Sequence, residues 1–418
     1  MDKKAASRMS LTDRPNDGDN GAVPGWYGVD PTNTDLKPNP HAHYKHLRQV
    51  QPVNLTPVGD WRLSNYADIQ KLLKHSHSGM RDLEGLIPGE TREQTNGSKF
   101  MLRMDPPDHD RLRSLVSKAF TPTSLNTMRP MVETVIAAEL DSVSPRGTMD
   151  LVSDLALTVP AASMCAMLGV PFEDRHKLTD LVSLVTYRLA KHAYPHLQEQ
   201  SEAAIMELAQ YMLVLIEERR TTPTNDILGQ LVMAEEAGDR LSNDELLQQS
   251  IGLLVAGLET TIGLIANGMV CFSRYPEEFE KLAADPTLAL SAVEECLRFE
   301  PSVPITLRIL WEDTEFGGVT IPANANVYAL LIGANRDPLH FTEPDRFDIH
   351  RSEAKHCSFG GGIHFCLGSH LARMNAEIAF QHMARRFTAI EIDESSIQWA
   401  PSLFRIPGSI AARFQRRR

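Results

Sequence analysis

Phe359-Gly360-Gly361-Gly362-Ile363-His364-Phe365-Cys366-Leu367-Gly368 is the stretch from which this chain is best read. Glycines have no Cβ to hold a neighbour away and tolerate unusual φ/ψ, so Gly360, Gly361, Gly362 and Gly368 let a flat, bulky group approach the backbone around Cys366. Downstream, Leu371, Ala372, Met374, Ala379 and Met383 recur at helical spacing, which predicts a helix starting just after Cys366. Exposed N–H groups and the positive end of that helix favour a thiolate over a thiol. A lone thiolate, with no second Cys or His at zinc spacing, suits the axial position of a haem iron. The competing reading is a Gly-rich turn that carries one small buried hydrophobe.

These ten residues resemble the cysteine-loop signature of the cytochrome P450 family, Phe-Gly-x-Gly-x-His-x-Cys-x-Gly, at every fixed position. The resemblance implies that haem b is the cofactor and O2 the co-substrate. It further implies that Cys366 is the proximal iron ligand, that Phe359, Gly360 and Gly368 shape its loop, and that His364 meets a haem propionate.

A second stretch, Ile251 to Ala266, is apolar on nearly all sides and reads as a helix through the core. Glu259 is out of place there, because a carboxylate so surrounded must pair, protonate or do chemistry. Thr260 can bond back to a carbonyl one turn earlier and Gly257 weakens the same turn, so a local distortion is expected. The plain alternative is a buried Glu satisfied by a neighbouring Arg. Ala256-Gly257-Leu258-Glu259-Thr260 matches the family's (Ala/Gly)-Gly-x-(Asp/Glu)-Thr sequence. The resemblance implies that Ala256 and Gly257 border the oxygen-binding side of the haem. Releasing one oxygen atom as water takes two protons, which Glu259 would bring in while Thr260 holds the oxygen in place.

Further motifs follow in the family's order. Glu295 and Arg298 sit three apart on one helix face, matching Glu-x-x-Arg, and Arg346 in Pro344-Asp345-Arg346-Phe347 is the expected third member of a structural brace. His109 and Arg113 match the family's His-x-x-x-Arg propionate contacts, on a helix starting after Pro106-Pro107. Arg308 matches the strand Arg that reaches the other propionate. By position, the substrate pocket draws on the loop 82–99, the region 184–194, Leu253, Val303, Ile305, Leu403 and Phe404. Arg188, His192 and Arg405 are read as facing water ahead of anchoring a ligand. The lining is mainly apolar and implies a terpenoid, steroid, fatty acid or polyketide type of molecule.

Composition agrees. The chain has 418 residues with no repeat or change of charge sign, and a single large domain from 26 to 418 is expected behind a polar, loose arm at 1–25. A net charge of −12 argues against nucleic acid as a partner. Five scattered cysteines point to reduced thiols in a cytoplasm. No signal sequence or membrane anchor is read, and a monomer is expected. The helices predicted are 128–140, 202–219, 243–272 and 288–299, with short strands at 52–55, 61–64 and 314–321 and more near the C-terminus: a mainly α (α+β) fold. No flavin or iron–sulfur cysteine pattern is present, so electrons come from outside; by resemblance the donor is a ferredoxin fed by an NAD(P)H-dependent reductase. The activity implied is hydroxylation or epoxidation of a hydrophobic small molecule. Its rivals are a peroxide-driven haem-thiolate enzyme and a non-catalytic haem sensor or carrier, neither of which needs the Glu259–Thr260 pair.

Overall fold

The structure is a computed structural model that describes residues 36–417 except 57–58, 81–98, 119, 191–193, 237–240 and 353–354. The N-terminal arm, the loop 82–98 and His192 therefore lie outside the described residues.

Nine helices carry the site: α1 (Tyr66–Lys74), α2 (Asp108–Ser117), α3 (Arg129–Val143), α4 (Thr158–Leu168), α5 (Arg175–Thr186), α6 (Gln198–Thr221), α7 (Asn243–Arg274), α8 (Ala289–Phe299) and α9 (Ser369–Arg386). The longest, α7, begins with a reciprocal capping box. Ser242 Oγ accepts from Glu245 N, and Glu245 Oε2 accepts from Ser242 N at 2.7 Å. It ends where Pro276 rules out continuation beyond Tyr275. Between them, α7 packs against α4, α5, α6, α8 and α9. Its length and apolarity would let it cross a membrane, but 78% of its most apolar window is buried inside the protein, which is the signature of a core helix. The helix runs unbroken through Gly257 and Thr260. The distortion expected there is absent because Thr260 and Thr261 bond back to the carbonyls of Ala256 (2.7 Å) and Gly257 (2.9 Å) without displacing the helical ladder.

The strands form small sheets. β1 (Val53–Leu55), β2 (Trp61–Leu63), β3 (Ser78–Gly79), β5 (Thr306–Leu310) and β8 (Asn326–Ala329) assemble in the order β1-β2-β8-β5-β3, with only the β2–β8 pair parallel. β4 (Thr148–Asp150), β12 (Ala411–Arg416) and β9 (Phe387–Ile392) make a second, antiparallel sheet. The run 314–321, predicted as one strand, is a hairpin of β6 (Thr314–Phe316) and β7 (Val319–Ile321) turning on Gly317 and Gly318, both at positive φ. Asn324, at φ 62°, occupies a left-handed turn position that Asn tolerates.

Glu295 and Arg298 form a bidentate pair on α8, both about 2% exposed, with contacts of 2.7 and 2.8 Å. The third member of the brace is Arg351, whose Nε donates to Glu295 at 3.3 Å. This corrects the expectation for Arg346. Its side chain is 56% exposed and pairs with Glu343 and Asp348, while its backbone carbonyl accepts from Arg298. The chain turns between residues 344 and 350 and brings Arg351 back onto Glu295, so proximity in sequence points to the wrong arginine.

Directly after α8, Glu300 is a buried hub that accepts from Arg405 (2.5 Å), Arg274 (3.1 Å) and Arg336 (3.3 Å) and contacts His41 at 2.9 Å. Burial alone would raise its pKa, but these neighbours hold it well below the ordinary value. Arg405 is thus buried in this ion cluster and does not face water. Lys37 completes a clasp by donating to the carbonyls of Ala400 (2.6 Å) and Ser402 (2.9 Å), tying the first described residues to the C-terminal loop.

Breaking a buried ion pair from one side strands the other charge. Arg298→Met is expected to destabilise the protein by about 3–5 kcal/mol in urea unfolding, and Arg346→Ala by no more than about 1 kcal/mol. Equal losses in the two variants would return Arg346 to the brace.

Candidate active site

The cysteine loop closes on itself through Cys366 N donating to Phe359 O (2.9 Å) and Gly360 N donating to Cys357 O (2.8 Å). Its glycines divide the work. Gly360 and Gly362 adopt φ of 68° and 65°, which a side chain would strain. A Cβ on Gly362 would lie 2.3 Å from Leu73 O, so that glycine lets the loop approach α1 rather than a cofactor. Gly361 is extended and Gly368 has φ −79°, so neither needs unusual dihedrals; a Cβ on Gly368 would meet open space. Beside the loop, Arg373 stacks over the Phe359 ring at 4.5 Å and is gripped by Glu294, with contacts of 2.6 and 3.1 Å. Burial would raise Glu294, but His356 and Arg373 bring it down to about 2.

Cys366 ends the loop three residues before α9. Its thiol is pushed up by burial, against the lowering effect of Gly368 N–H, Arg113 and Arg373. The helix end alone therefore does not make the thiolate expected from the sequence; coordination to a cation would. Arg113, on α2, donates to Phe365 O at 2.7 Å, next to the cysteine.

One turn earlier on α2, His109 is 1% exposed and packs edge-on against His364, with ring centroids 4.6 Å apart. His364 Nε2 is buried without a hydrogen-bond partner, and burial lowers the ring's pKa, keeping it neutral. Asp105 Oδ1 lies 3.7 Å from it and accepts from Met80 N. Arg308, on β5, is 4% exposed; its Nη1 bonds only Leu307 O (2.7 Å) and Met80 S, and burial lowers its pKa to about 10. Among the described residues the Arg308 guanidinium has no carboxylate in hydrogen-bond range, only the more distant charge of Asp105, and it sits near the orphaned imidazole nitrogen of His364.

On α7, Gly252, Ala256 and Thr260 recur at four-residue intervals on one face. Ala256 is exposed and Thr260 half-buried, although residues 261–272 are buried throughout. Leu253, one residue round the helix from Gly252, is 8% exposed and belongs to the main core rather than to this face. Of the other pocket residues, Phe404 packs against that core, Val303 and Ile305 pack against the sheet clusters, and Leu403 is half-buried.

Glu259 points away from this face toward α5. It is 6% exposed, and its Oε2 has no hydrogen-bond partner. Burial raises its pKa to about 8, opposed by the hydroxyls of Thr186 and Ser183 and by the charge of Lys37. Among the described residues no arginine satisfies it, so the plain alternative of an Arg-paired Glu fails. Ser183 and Thr186 could not be singled out beforehand, because they sit in an ordinary amphipathic helix.

A family model described as cytochrome P450 matches residues 44–404. The chain belongs to the cytochrome P450 family. The Bacillus subtilis (strain 168) biotin biosynthesis cytochrome P450 is 35% identical over 87% of this chain and 93% of its own length. The vitamin D(3) 25-hydroxylase of Pseudonocardia autotrophica is 37% identical over 82% and 84%. A myxobacterial cytochrome P450 crystallised with myristic acid superposes with a TM-score of 0.83 at 36% identity, covering 92% of this chain and 98% of that one. The protein is a P450 monooxygenase, with haem b as cofactor and O2 as co-substrate. Its residues fit the cofactor: a cysteine beside a glycine with open space around it, and an orphaned His364 nitrogen near the buried Arg308 guanidinium.

The neutral Glu259 carries a signature of its own. Folded, it holds its proton up to about pH 8, whereas unfolded it releases it near 4.5, so wild-type stability falls relative to a neutral isostere as pH rises between those values. Thermal melting should show Glu259→Gln equal to wild type at pH 4.5 and increasingly more stable toward pH 8.5. A pH-independent difference would mean that the carboxyl ionises normally.

Proposed function

We propose that this P450 hydroxylates or epoxidises a hydrophobic small molecule of terpenoid, steroid, fatty acid or polyketide type, using two electrons delivered by a ferredoxin and its NAD(P)H-dependent reductase. The observation that carries this reading is the packing of buried His109 against His364, two residues before Cys366 and near the buried Arg308. Cys366 ligates the iron. Arg308 and His364 hold propionates, with His109 buttressing His364 and Arg113 placing its charge beside the loop. When bound, the haem supplies reductive activation of O2, placing one oxygen atom into substrate and releasing the other as water.

The chain's own groups manage the protons. Glu259, neutral at physiological pH, is a donor poised behind the helix face, and Thr260 Oγ1 is the hydroxyl on that face. In the resting arrangement Thr260 donates to Ala256 O, so its oxygen can accept from a water or from Glu259 through one. Ser183 and Thr186 connect the acid to α5. The low dielectric around Glu259 keeps protons from arriving except through it.

The substrate class rests on the apolar residues around the α7 face and on relatives whose names include a vitamin D(3) hydroxylase and a complex with myristic acid. A ferredoxin would approach on the cysteine side, where Arg113 is half-buried and the larger cations are offset by pairs such as Arg373–Glu294. We place the enzyme in the cytoplasm as a monomer whose residues 26–418 form one haem domain.

The carbon-monoxide difference spectrum of the reduced protein tests the ligand. The long-wavelength Soret band of thiolate ligation is expected in wild type and is lost in Cys366→Ser; a short-wavelength band in both would remove Cys366 from the iron. For the relay, Thr260→Ala should keep NAD(P)H consumption within a few-fold while diverting about tenfold more of it into released hydrogen peroxide, in line with loss of one acid–base group. Unchanged coupling between NAD(P)H and product would exclude Thr260.

A further inference from the structure

Beyond the haem site, the C-terminal part of α7 lines a cavity of about 220 Å³ that the functional reading leaves unused. Buried Asn267 and Val270 form its inner wall, about 10 and 15 Å further along the helix than Thr260. The half-buried Ile397 and Trp399 form its sides, and the exposed Glu394 and Ser395 stand at its mouth.

The charges around this cavity answer one another. Arg274 donates to Glu394 at 2.6 Å and to Glu300 at 3.1 Å; Arg405 donates to Glu300 at 2.5 Å and lies 4.7 Å from the centre of the Trp399 ring. An entering ion would have to displace one of these pairs, so the site favours a neutral molecule. What it leaves open is an acceptor. Asn267 is 2% exposed, and its Nδ2 donates to Arg405 O at 2.9 Å and Glu300 O at 3.3 Å. Both partners are carbonyls and can only accept, so the amide cannot be turned round, and among the described residues no donor reaches its Oδ1. A buried amide oxygen without a donor is costly, and this one belongs to the wall of a cavity. The volume lies below the ~300 Å³ at which sites for drug-sized ligands begin, and it suits one ring or two fused ones.

We propose that this cavity is a binding site for a small, neutral, planar aromatic molecule with one N–H or O–H donor, of the indole or phenol class. The donor meets Asn267 Oδ1, and the ring lies among Trp399, Ile397 and Val270. The lining shares no residue with the haem site described above, and the inference goes beyond the function proposed there and does not depend on it.

Calorimetric titration of the full-length holoprotein with indole tests the site, with benzofuran as the isostere that lacks the donor. Indole should bind wild type with a dissociation constant of about 1 mM or below, and benzofuran about fivefold more weakly, as loss of one hydrogen bond requires. Ile397→Trp fills the cavity and should weaken indole at least about tenfold. Ser395→Trp closes the exposed mouth without touching the core and should do the same, which keeps the test open if Ile397→Trp fails to fold. The carbon-monoxide difference spectrum of each variant reports that its haem domain is intact. Indole binding that neither tryptophan weakens would place the ligand elsewhere, in the haem cavity for example, and would overturn the proposal. Equal binding of indole and benzofuran would remove Asn267 as the recognition element, and no binding of indole would leave water as the occupant; either result would also overturn it.

Discussion

Burying charge is the constraint around which this protein is built. A haem brings two carboxylates and a metal-bound thiolate into an apolar interior, and each must find a counterpart already in place. Glu295 receives Arg298 and Arg351, and Glu300 receives three guanidinium groups. At the site the balance is different: Arg308 has no hydrogen-bonded carboxylate among the described residues, and His364 Nε2 and Glu259 Oε2 have no hydrogen-bond partner there. Such groups are costly when left alone.

The same logic separates the two carboxylates on neighbouring elements. Glu294 and Glu259 are both largely withdrawn from water, yet one is drawn down to about 2 and the other pushed up to about 8. Glu294 has a guanidinium and an imidazole against it; Glu259 has two hydroxyls and a distant lysine. The first is a fixed negative charge that secures Arg373 beneath Phe359. The second is an uncharged proton store. Environment alone assigns the roles.

Much of this was legible in the sequence where the chemistry is local. The cysteine loop, the His109–Arg113 pair one helical turn apart and the apolar run of α7 are each contiguous in sequence, and the loop precedes α9, the pair lies on α2 and the run lies inside α7 as their spacing implies. Helix limits were short by a few residues at 202–219 and 128–140, because polar terminal turns carry no apolar period. Failures came where the third dimension decides. Arg346 was chosen over Arg351, which reaches Glu295 only because the chain bends between them. The glycines of the loop were credited to the cofactor, whereas Gly362 answers to α1. Ser183 and Thr186 carried no signal at all.

The clasp between Lys37 and the carbonyls of Ala400 and Ser402 joins residues more than 360 positions apart. Closing a loop of that span costs chain entropy that no local contact repays, so the clasp forms only after the helices between its ends have assembled. It is a late seal and, by the same token, the cheapest contact to release. Arg405, three residues beyond Ser402, hangs from the same clasp through the carbonyl of Lys37. Phe404 lies between them. The C-terminal loop that carries Phe404 is therefore held in place by residues from the far end of the described chain, while α7 is held by the helices packed around it.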